Sequence, residues 1–507
     1  MAALMYDRFV RDDEYRQRVR RHRPSSLLPL IASAGARYGR PDQYRAWLGS
    51  PFRKYTPWAL ADAARVALTY GTEFNRSAAT EHDLLEILAA YSALMDPTLH
   101  SNGDDAIRLR DFLLRTAGEQ LAWQEPDFAT LARTAAVFLH TPFPDDRTPR
   151  HMLPGWDTEL FGCSLTDFVG AAQLLWASAL VCQGRFDPSF LDTADAAGIS
   201  DIVSRDTIVR VLERQFAIDT AAFKQTEHET NKRLEAVPQA RNSQLRRFTY
   251  NPLIGRPAVT GYGDTWLLCP VPQLVHRKAG PAGIYHAGGR HFGRSFAVEM
   301  GYLFEQYIGR QLRLLTHAEV HPEITYTVRR QEMRSVDWIV VFDDLVLLVE
   351  VKSTMPTENA RLGLVEGAED TVEKIGRAYR QINNTEERIA SAHPAFAAIP
   401  RDRPRHGLVV TLEPFHLVNA PFKMPDLPTT RVFTTVASAR EVEQLVTLPE
   451  DAAATRLLER AADPERSTWD LNSTVLSGHA GRNPILDAAW AAYPWRAARI
   501  TEPQQPL

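Results

Sequence analysis

Asp337, Glu350 and Lys352 are the residues of this sequence whose types and spacing point most directly to chemistry. Two carboxylates brought side by side make a seat for a hard divalent cation, and an ammonium beside them steadies charge on a phosphate. They lie in the stretch Ser335 to Lys352, SVDWIVVFDDLVLLVEVK, where two runs rich in β-branched and aromatic residues flank Asp343-Asp344. That pattern predicts a β-hairpin with a tight turn. A two-residue turn pairs Phe342 with Leu345 and carries the register on until Asp337 stands opposite Glu350. A symmetric four-residue loop gives the same pairing, and an odd-length loop breaks it. Alternation along the strand then puts Lys352 on the face that carries Glu350.

Apart from these charges, both faces of the hairpin are apolar. Ile339, Val341, Val346 and Leu348 share the carboxylate side; Trp338, Val340, Leu347 and Val349 share the other. The hairpin is therefore expected at the centre of a sheet covered on both sides. Carboxylates about 5 Å apart repel by roughly 3 kcal/mol at an effective dielectric of about 20. Lys352 offsets part of that, whereas a divalent cation between the acids reverses its sign. The competing reading is a buried ion-pair cluster without chemistry.

Asp337, twelve intervening residues, then Glu350-Val351-Lys352 resembles the motif of the PD-(D/E)xK nuclease superfamily, the restriction-endonuclease-like fold. The resemblance covers about Phe292 to Val436, with Val336 standing where the family has a proline. It implies an α/β core with a central mixed sheet flanked by helices, and phosphodiester hydrolysis, of DNA more often than RNA and by endonuclease more often than exonuclease action. It also implies Mg²⁺ or Mn²⁺ held by Asp337 and Glu350, with Glu305 of the preceding helix joining directly or through water. Hard oxygen-only ligands favour these ions over zinc. Lys352 would position or help deprotonate the attacking water, and Gln381 in AYRQINN resembles a glutamine that helps hold the site in many relatives.

The elements that must position these residues are legible as patterns. A helix is expected from Ser295 to about Leu315, with Phe296, Met300, Leu303, Phe304 and Tyr307 on one face. Glu305 lies at that face's margin, Gly301 and Gly309 one turn away on either side clear space beside it, and Glu299 on the opposite flank is the weaker acidic candidate. Glu323 to Arg330 reads as the first strand. After a loop around Pro356, a helix over Val372 to Ile389, strands at His406–Leu412 and Arg431–Val436, and a capping box Ser438–Glu441 follow.

The whole reads as an α+β multidomain chain: an all-α region over 1–240, a basic Pro/Gly-rich connecting segment over 241–294, the nuclease-like domain over 295–449, and a helical segment with a polar tail over 450–507. In the first region Thr80–Asp83 reads as a capping box, Val169 to Cys182 as a buried core helix too short to span a membrane, and Thr207 to Leu234 as one helix ended by Pro238. With 507 residues, 44% hydrophobic, 24% charged and net charge −4, the chain lacks the global basic excess of a nucleic-acid coat protein. The excess is local: Arg241 to Arg334 holds 13 Lys/Arg against 6 Asp/Glu. Arg290, Arg294, Arg329 and Arg330 are accordingly candidates for phosphate contacts. His276, His286 and His291 read as ordinary surface groups, and Trp469, Trp490 and Trp495 as packing residues. Three dispersed cysteines indicate neither disulfides nor a zinc site. The apolar run after Arg16–Arg23 is short, broken by Pro29 and preceded by acids, so a cytoplasmic protein is expected. Partners are nucleic acid, with a protein partner conceivable for the helical region, and no membrane. Defence against foreign DNA and repair both fit. The alternative from another class is a nuclease-like module that binds nucleic acid or protein without cutting.

Overall fold

A computed structural model describes residues 9–38, 56–96, 104–120, 127–235, 243–354, 365–449 and 452–496, with short interruptions at 75, 194–195, 416–417 and 420–426. The joint around Val237, the stop at Pro238, the loop at Pro356 and the TEPQQPL end lie outside the described residues.

The chain begins with α1 (Asp12–Arg20), α2 (Pro24–Tyr38), α3 (Pro57–Tyr70), α4 (Glu81–Ser92), α5 (Asp105–Gln120), α6 (Asp127–Phe138), α7 (Trp156–Phe161), α8 (Leu165–Val181), α9 (Ala197–Ser200), α10 (Arg205–Val211) and α11 (Thr220–Glu235). The Thr80 box is present: its hydroxyl accepts the Asp83 N–H while Asp83 accepts the Thr80 N–H at 2.8 Å. α8 buries Phe168, Val169, Ala172 and Leu175, as its apolar run predicts. Among the described residues no helix is long and apolar enough to cross a membrane.

Two expectations for this half are corrected. The helix predicted over Thr207 to Leu234 is broken by a π turn at Leu212–Phe216 and an extended Ala217–Ile218. Asp219 is the cause: its carboxylate accepts the Ala222 N–H at 2.8 Å, an N-cap that starts α11 afresh. Nor is the half purely helical. β1 (Arg185–Phe186) and β2 (Ala217–Ile218) pair with β4 (Leu267–Leu268) and β3 (Ala258–Val259), giving a small sheet of order β1-β4-β3-β2. α12 (Gln273–Ala279) and α13 (Pro281–Phe292) follow.

Part of the local basic excess is turned inward. Arg246 is buried and donates to Asp62 at 2.8 Å and Asp12 at 3.2 Å. Arg65, also buried, pairs with Glu227 at 2.8 Å and donates to the Arg246 and Thr249 carbonyls. These arginines clasp α1, α3 and α11 to the segment after residue 243.

The larger sheet has the order β11-β10-β9-β8-β5, with β5 (Glu319–Pro322), β8 (Trp338–Val341) and β9 (Val346–Lys352) antiparallel, and β9, β10 (Arg405–Thr411) and β11 (Phe433–Ser438) parallel. α14 (Arg294–Leu312) covers one face and α15 (Val365–Ala390) the other. Trp338, Val340, Leu347 and Val349 join one core with Phe304 and Ile308; Ile339, Val341, Val346 and Leu348 join another with Ile375, Ala378 and Ile382. The period-2 alternation of the hairpin is thus satisfied on both sides. The edge strand is Glu319–Pro322, not Glu323 to Arg330. Thr325–Val328 (β6) instead pairs with Gln331–Arg334 (β7) in a separate hairpin. Arg329 and Arg330 both take positive φ at its turn, which closes β6 on β7 and removes them from the sheet.

After β11, the Ser438–Glu441 capping box opens α16 (Ala439–Leu445), followed by α17 (Ala452–Ala462) and α18 (Pro484–Ala491). Trp490 and Trp495 pack on the main core, whereas Trp469 is 47% exposed. The first core is continuous from α6 and α8 through α14 and the sheet to α18.

Candidate functional site

The two-residue turn at Asp343-Asp344 closes with the Phe342 N–H on the Leu345 carbonyl at 2.8 Å. Pairs Val341–Val346, Val340–Leu347, Ile339–Leu348 and Trp338–Val349 follow, so the next pair is Asp337 with Glu350. Asp337 sits just beyond the paired backbone, and its Oδ2 accepts the Val351 N–H at 2.6 Å, taking the place of the missing ladder bond. Lys352 Nζ donates to Glu350 Oε1 at 2.5 Å. The other oxygen, Glu350 Oε2, is buried with no hydrogen-bond partner.

Such an oxygen is costly unless something else satisfies it. Burial raises Glu350 well above the usual carboxylate range, and Asp337 beside it adds to the rise. Burial also raises Asp337, against the lowering pull of Lys352 and the Val351 N–H. For Lys352, burial favours the neutral amine, but Glu350 and Asp337 outweigh it and the net shift is upward. Lys352 is therefore held as an ammonium.

Glu305 belongs to this cluster although α14 lies under the opposite face of the sheet. Burial, then Asp337 and Glu323, push it up to about 8, while Lys352 and Arg147 pull it down. Its placement rests on Trp338, whose indole Nε1 donates to the Glu305 carbonyl at 3.1 Å. Gly309 serves that contact: a Cβ there would stand 2.1 Å from the Trp338 ring, so it clears space for the indole, not for Glu305. Glu299 is a structural acid. Buried, it accepts the backbone N–H groups of Arg150, His151 and Met152 at 2.8 to 3.2 Å.

Two participants escaped the sequence reading. Glu323 is held near Asp337 because Ser335 bonds Ile324 in both directions, N–H to carbonyl at 3.0 Å and Oγ from the Ile324 N–H at 2.8 Å. Burial raises Glu323, with Asp337 contributing, and Arg334 bonds it at 2.8 Å. Arg147 arrives from the loop after α6, with its guanidinium 5.1 Å from the Tyr302 ring. Neither position carries a motif, and Arg147 is distant in sequence.

Gln381 reaches the strand that leads into Asp337, donating to the Ser335 carbonyl at 2.7 Å and the Arg334 carbonyl at 3.2 Å. One turn further along α15, buried Thr385 accepts the Val336 N–H at 2.9 Å. Gln381→Ala removes about 1 kcal/mol of hydrogen bonding and loosens the approach to Asp337. The expected outcome is a fall in melting temperature on the order of 1–2 °C, read by thermal melts, and an unchanged melting temperature would show that the clamp is dispensable.

The four candidate arginines do not converge. Arg329 and Arg330 are exposed at the β6–β7 turn, Arg294 opens α14, and Arg290, exposed on α13, lines a cavity with Lys278 and Arg256. None is among the charges acting most strongly on the triad or Glu305. His276 is buried, not superficial, stacked 4.4 Å from Trp176 with Nε2 against Gln173.

Among the described residues no group of three or more His, Cys, Asp or Glu side chains is arranged to hold a metal ion. Mg²⁺ does not need one, since it keeps several waters and takes one or two carboxylates. The partnerless Glu350 oxygen and the raised acids fit such an ion. A stability test follows. In EDTA the folded protein holds protons, near Glu305 up to about pH 8, that the unfolded chain releases around pH 4.5. This contribution is present at low pH and is lost as pH rises toward 8. Mg²⁺ needs the ionised acids, so its stabilisation grows over the same window. Thermal shifts on adding Mg²⁺ are expected to be larger at pH 8.5 than at pH 5.5; equal shifts would remove metal from the site.

Neither a known protein-family model nor a curated protein matches the chain.

Proposed function

We propose that the protein is a Mg²⁺- or Mn²⁺-dependent nuclease that hydrolyses phosphodiester bonds of DNA, working as an endonuclease on a restriction-endonuclease-like core. The observation that carries this reading is the Asp337–Glu350 pair at the sheet end with a buried, partnerless Glu350 Oε2 and an ammonium bonded to the same carboxylate. Asp337 and Glu350 would hold the ion, with Glu305 completing the set directly or through water. When bound, the ion supplies a lowered pKa for its water and neutralises charge on the scissile phosphate.

The chain's own groups do the rest. Lys352 Nζ, held charged by Glu350 and Asp337, faces the developing negative charge on phosphorus. Glu305, whose carboxyl is raised to about 8, would add a third carboxylate beside the ion once ionised. Gln381 and Thr385 fix the backbone that aims Asp337.

The test is cleavage of supercoiled plasmid, linear duplex and single-stranded DNA by the full chain in Mg²⁺, Mn²⁺ and EDTA. Nicked and linear products from plasmid in metal alone are expected. Intact DNA in every condition would leave the non-cleaving module as the better reading.

A further inference from the structure

Among the described residues Lys278 has no counter-ion. It stands in the last turn of α12, 6% exposed, and no described residue gives it a hydrogen bond or an ion pair. The charges acting on it are both cationic, Arg290 and Arg256, and with burial they lower its amine to about 8. Arg256 spends its donors on the Ala217 and Glu213 carbonyls, at 2.9 and 3.5 Å, without a carboxylate. Lys278, Arg290 and Arg256 thus line one cavity, the lysine buried and the two arginines exposed. A buried ammonium is costly unless it is paired, and an anion in the adjoining cavity would pair it.

The place is hollow. Lys278 and Arg290 line a cavity of about 580 Å³ and also a second of about 810 Å³, which share Tyr250 and Gly255. The first is of the size that takes a small organic ligand. Its half-buried walls include the aromatic side chains of Trp58 and Tyr250. The carboxylates on that wall are already engaged: Asp62 by Arg246, Glu119 by the Tyr91 hydroxyl, and Glu413 opposite Arg277 at 3.9 Å. In the second cavity, Glu213 and Asp219 are exposed.

We propose that Lys278, Arg290 and Arg256 form a binding site for the phosphate of a small nucleotide, with the base lying against the aromatic wall. A duplex is the poorer fit: Arg290 and Arg256 are exposed, but Lys278, which lines the cavity with them, is only 6% exposed. The site is independent of the Asp337 cluster, and Arg290 belongs to it rather than to a DNA-tracking surface.

The experiment measures binding of ATP, AMP, inorganic phosphate and a 20-base-pair duplex to the full-length wild type, Lys278→Met and Arg290→Gln, by calorimetry and thermal shift. ATP or AMP is expected to bind more tightly than inorganic phosphate and to raise the melting temperature. Lys278→Met should weaken that binding at least tenfold while raising the melting temperature of the ligand-free protein, since it removes an unpaired buried charge. Arg290→Gln should weaken it less. The proposal is overturned if no nucleotide binds at millimolar concentration, if inorganic phosphate binds as well as the nucleotides, if Lys278→Met lowers the ligand-free melting temperature, or if Lys278→Met reduces duplex binding alone.

Discussion

Asp337→Ala is expected to abolish metal-dependent DNA cleavage, by about a thousandfold or ~4 kcal/mol, and yet to leave the protein in EDTA as stable as the wild type or more so. The two effects have different origins. Cleavage is lost with the ion seat. Stability is set by opposing contributions: the Val351 N–H loses its acceptor, at about 1 kcal/mol, while a repulsion with Glu350 of at most roughly 3 kcal/mol, or the proton uptake that relieves it, disappears. Glu350→Gln should behave alike, because a neutral isostere relieves the same repulsion. Lys352→Met should not. It leaves two buried acids without their cation, so it destabilises the EDTA form, and Mg²⁺ should recover much of the loss while cleavage stays absent. A buried ion-pair cluster without chemistry predicts another pattern: all three variants less stable, with Mg²⁺ without effect on any of them. Cleavage assays and melting curves on the same preparations separate the two readings.

The hairpin was legible because its information is local. Strand alternation and a two-residue turn fix the Asp337–Glu350 register with no knowledge of the remainder of the fold, and the strand pairs from Val341–Val346 to Trp338–Val349 follow it residue by residue. The capping boxes at Thr80 and Ser438 were readable for the same reason. The misread strand shows where this ends. Glu319–Pro322 and Thr325–Val328 are both extended and both β-prone, and the hairpin that withdraws the second turns on Arg329-Arg330, residues with no preference for positive φ. Gly309 illustrates a further limit: its spacing beside Glu305 was visible, but its purpose, room for the Trp338 ring, depends on a strand 29 residues further along the chain. Arg147 and Lys278 owe their roles wholly to what surrounds them, Tyr302 and Glu305 in one case and two arginines in the other. No spacing rule reaches such residues.

Arg133→Ala is expected to cost about 3–5 kcal/mol, as breaking a buried ion pair does, and to impair the site. Arg133 on α6 grips Glu443 of α16 through two bonds of 2.5 and 2.6 Å, with both side chains buried. Tyr307 of α14 donates to the same carboxylate at 2.5 Å, Gln311 donates to the Tyr307 hydroxyl at 2.9 Å, and Asn483, the N-cap of α18, donates to Gln311 at 2.7 Å. Truncating Arg133 leaves the Glu443 charge buried, with neutral donors as its remaining partners. Tyr307 lies two residues from Glu305 on α14, so the disturbance passes to the acid that sits beside Asp337. Replacing both partners, Arg133→Met with Glu443→Gln, should recover at least half of the lost stability, because no charge is then stranded. Urea melts of the single and double variants, read beside their cleavage rates, test whether the helices before residue 236 hold the site or merely accompany it. A stability loss below ~1 kcal/mol for Arg133→Ala, with cleavage unchanged, would detach the helical half from the chemistry.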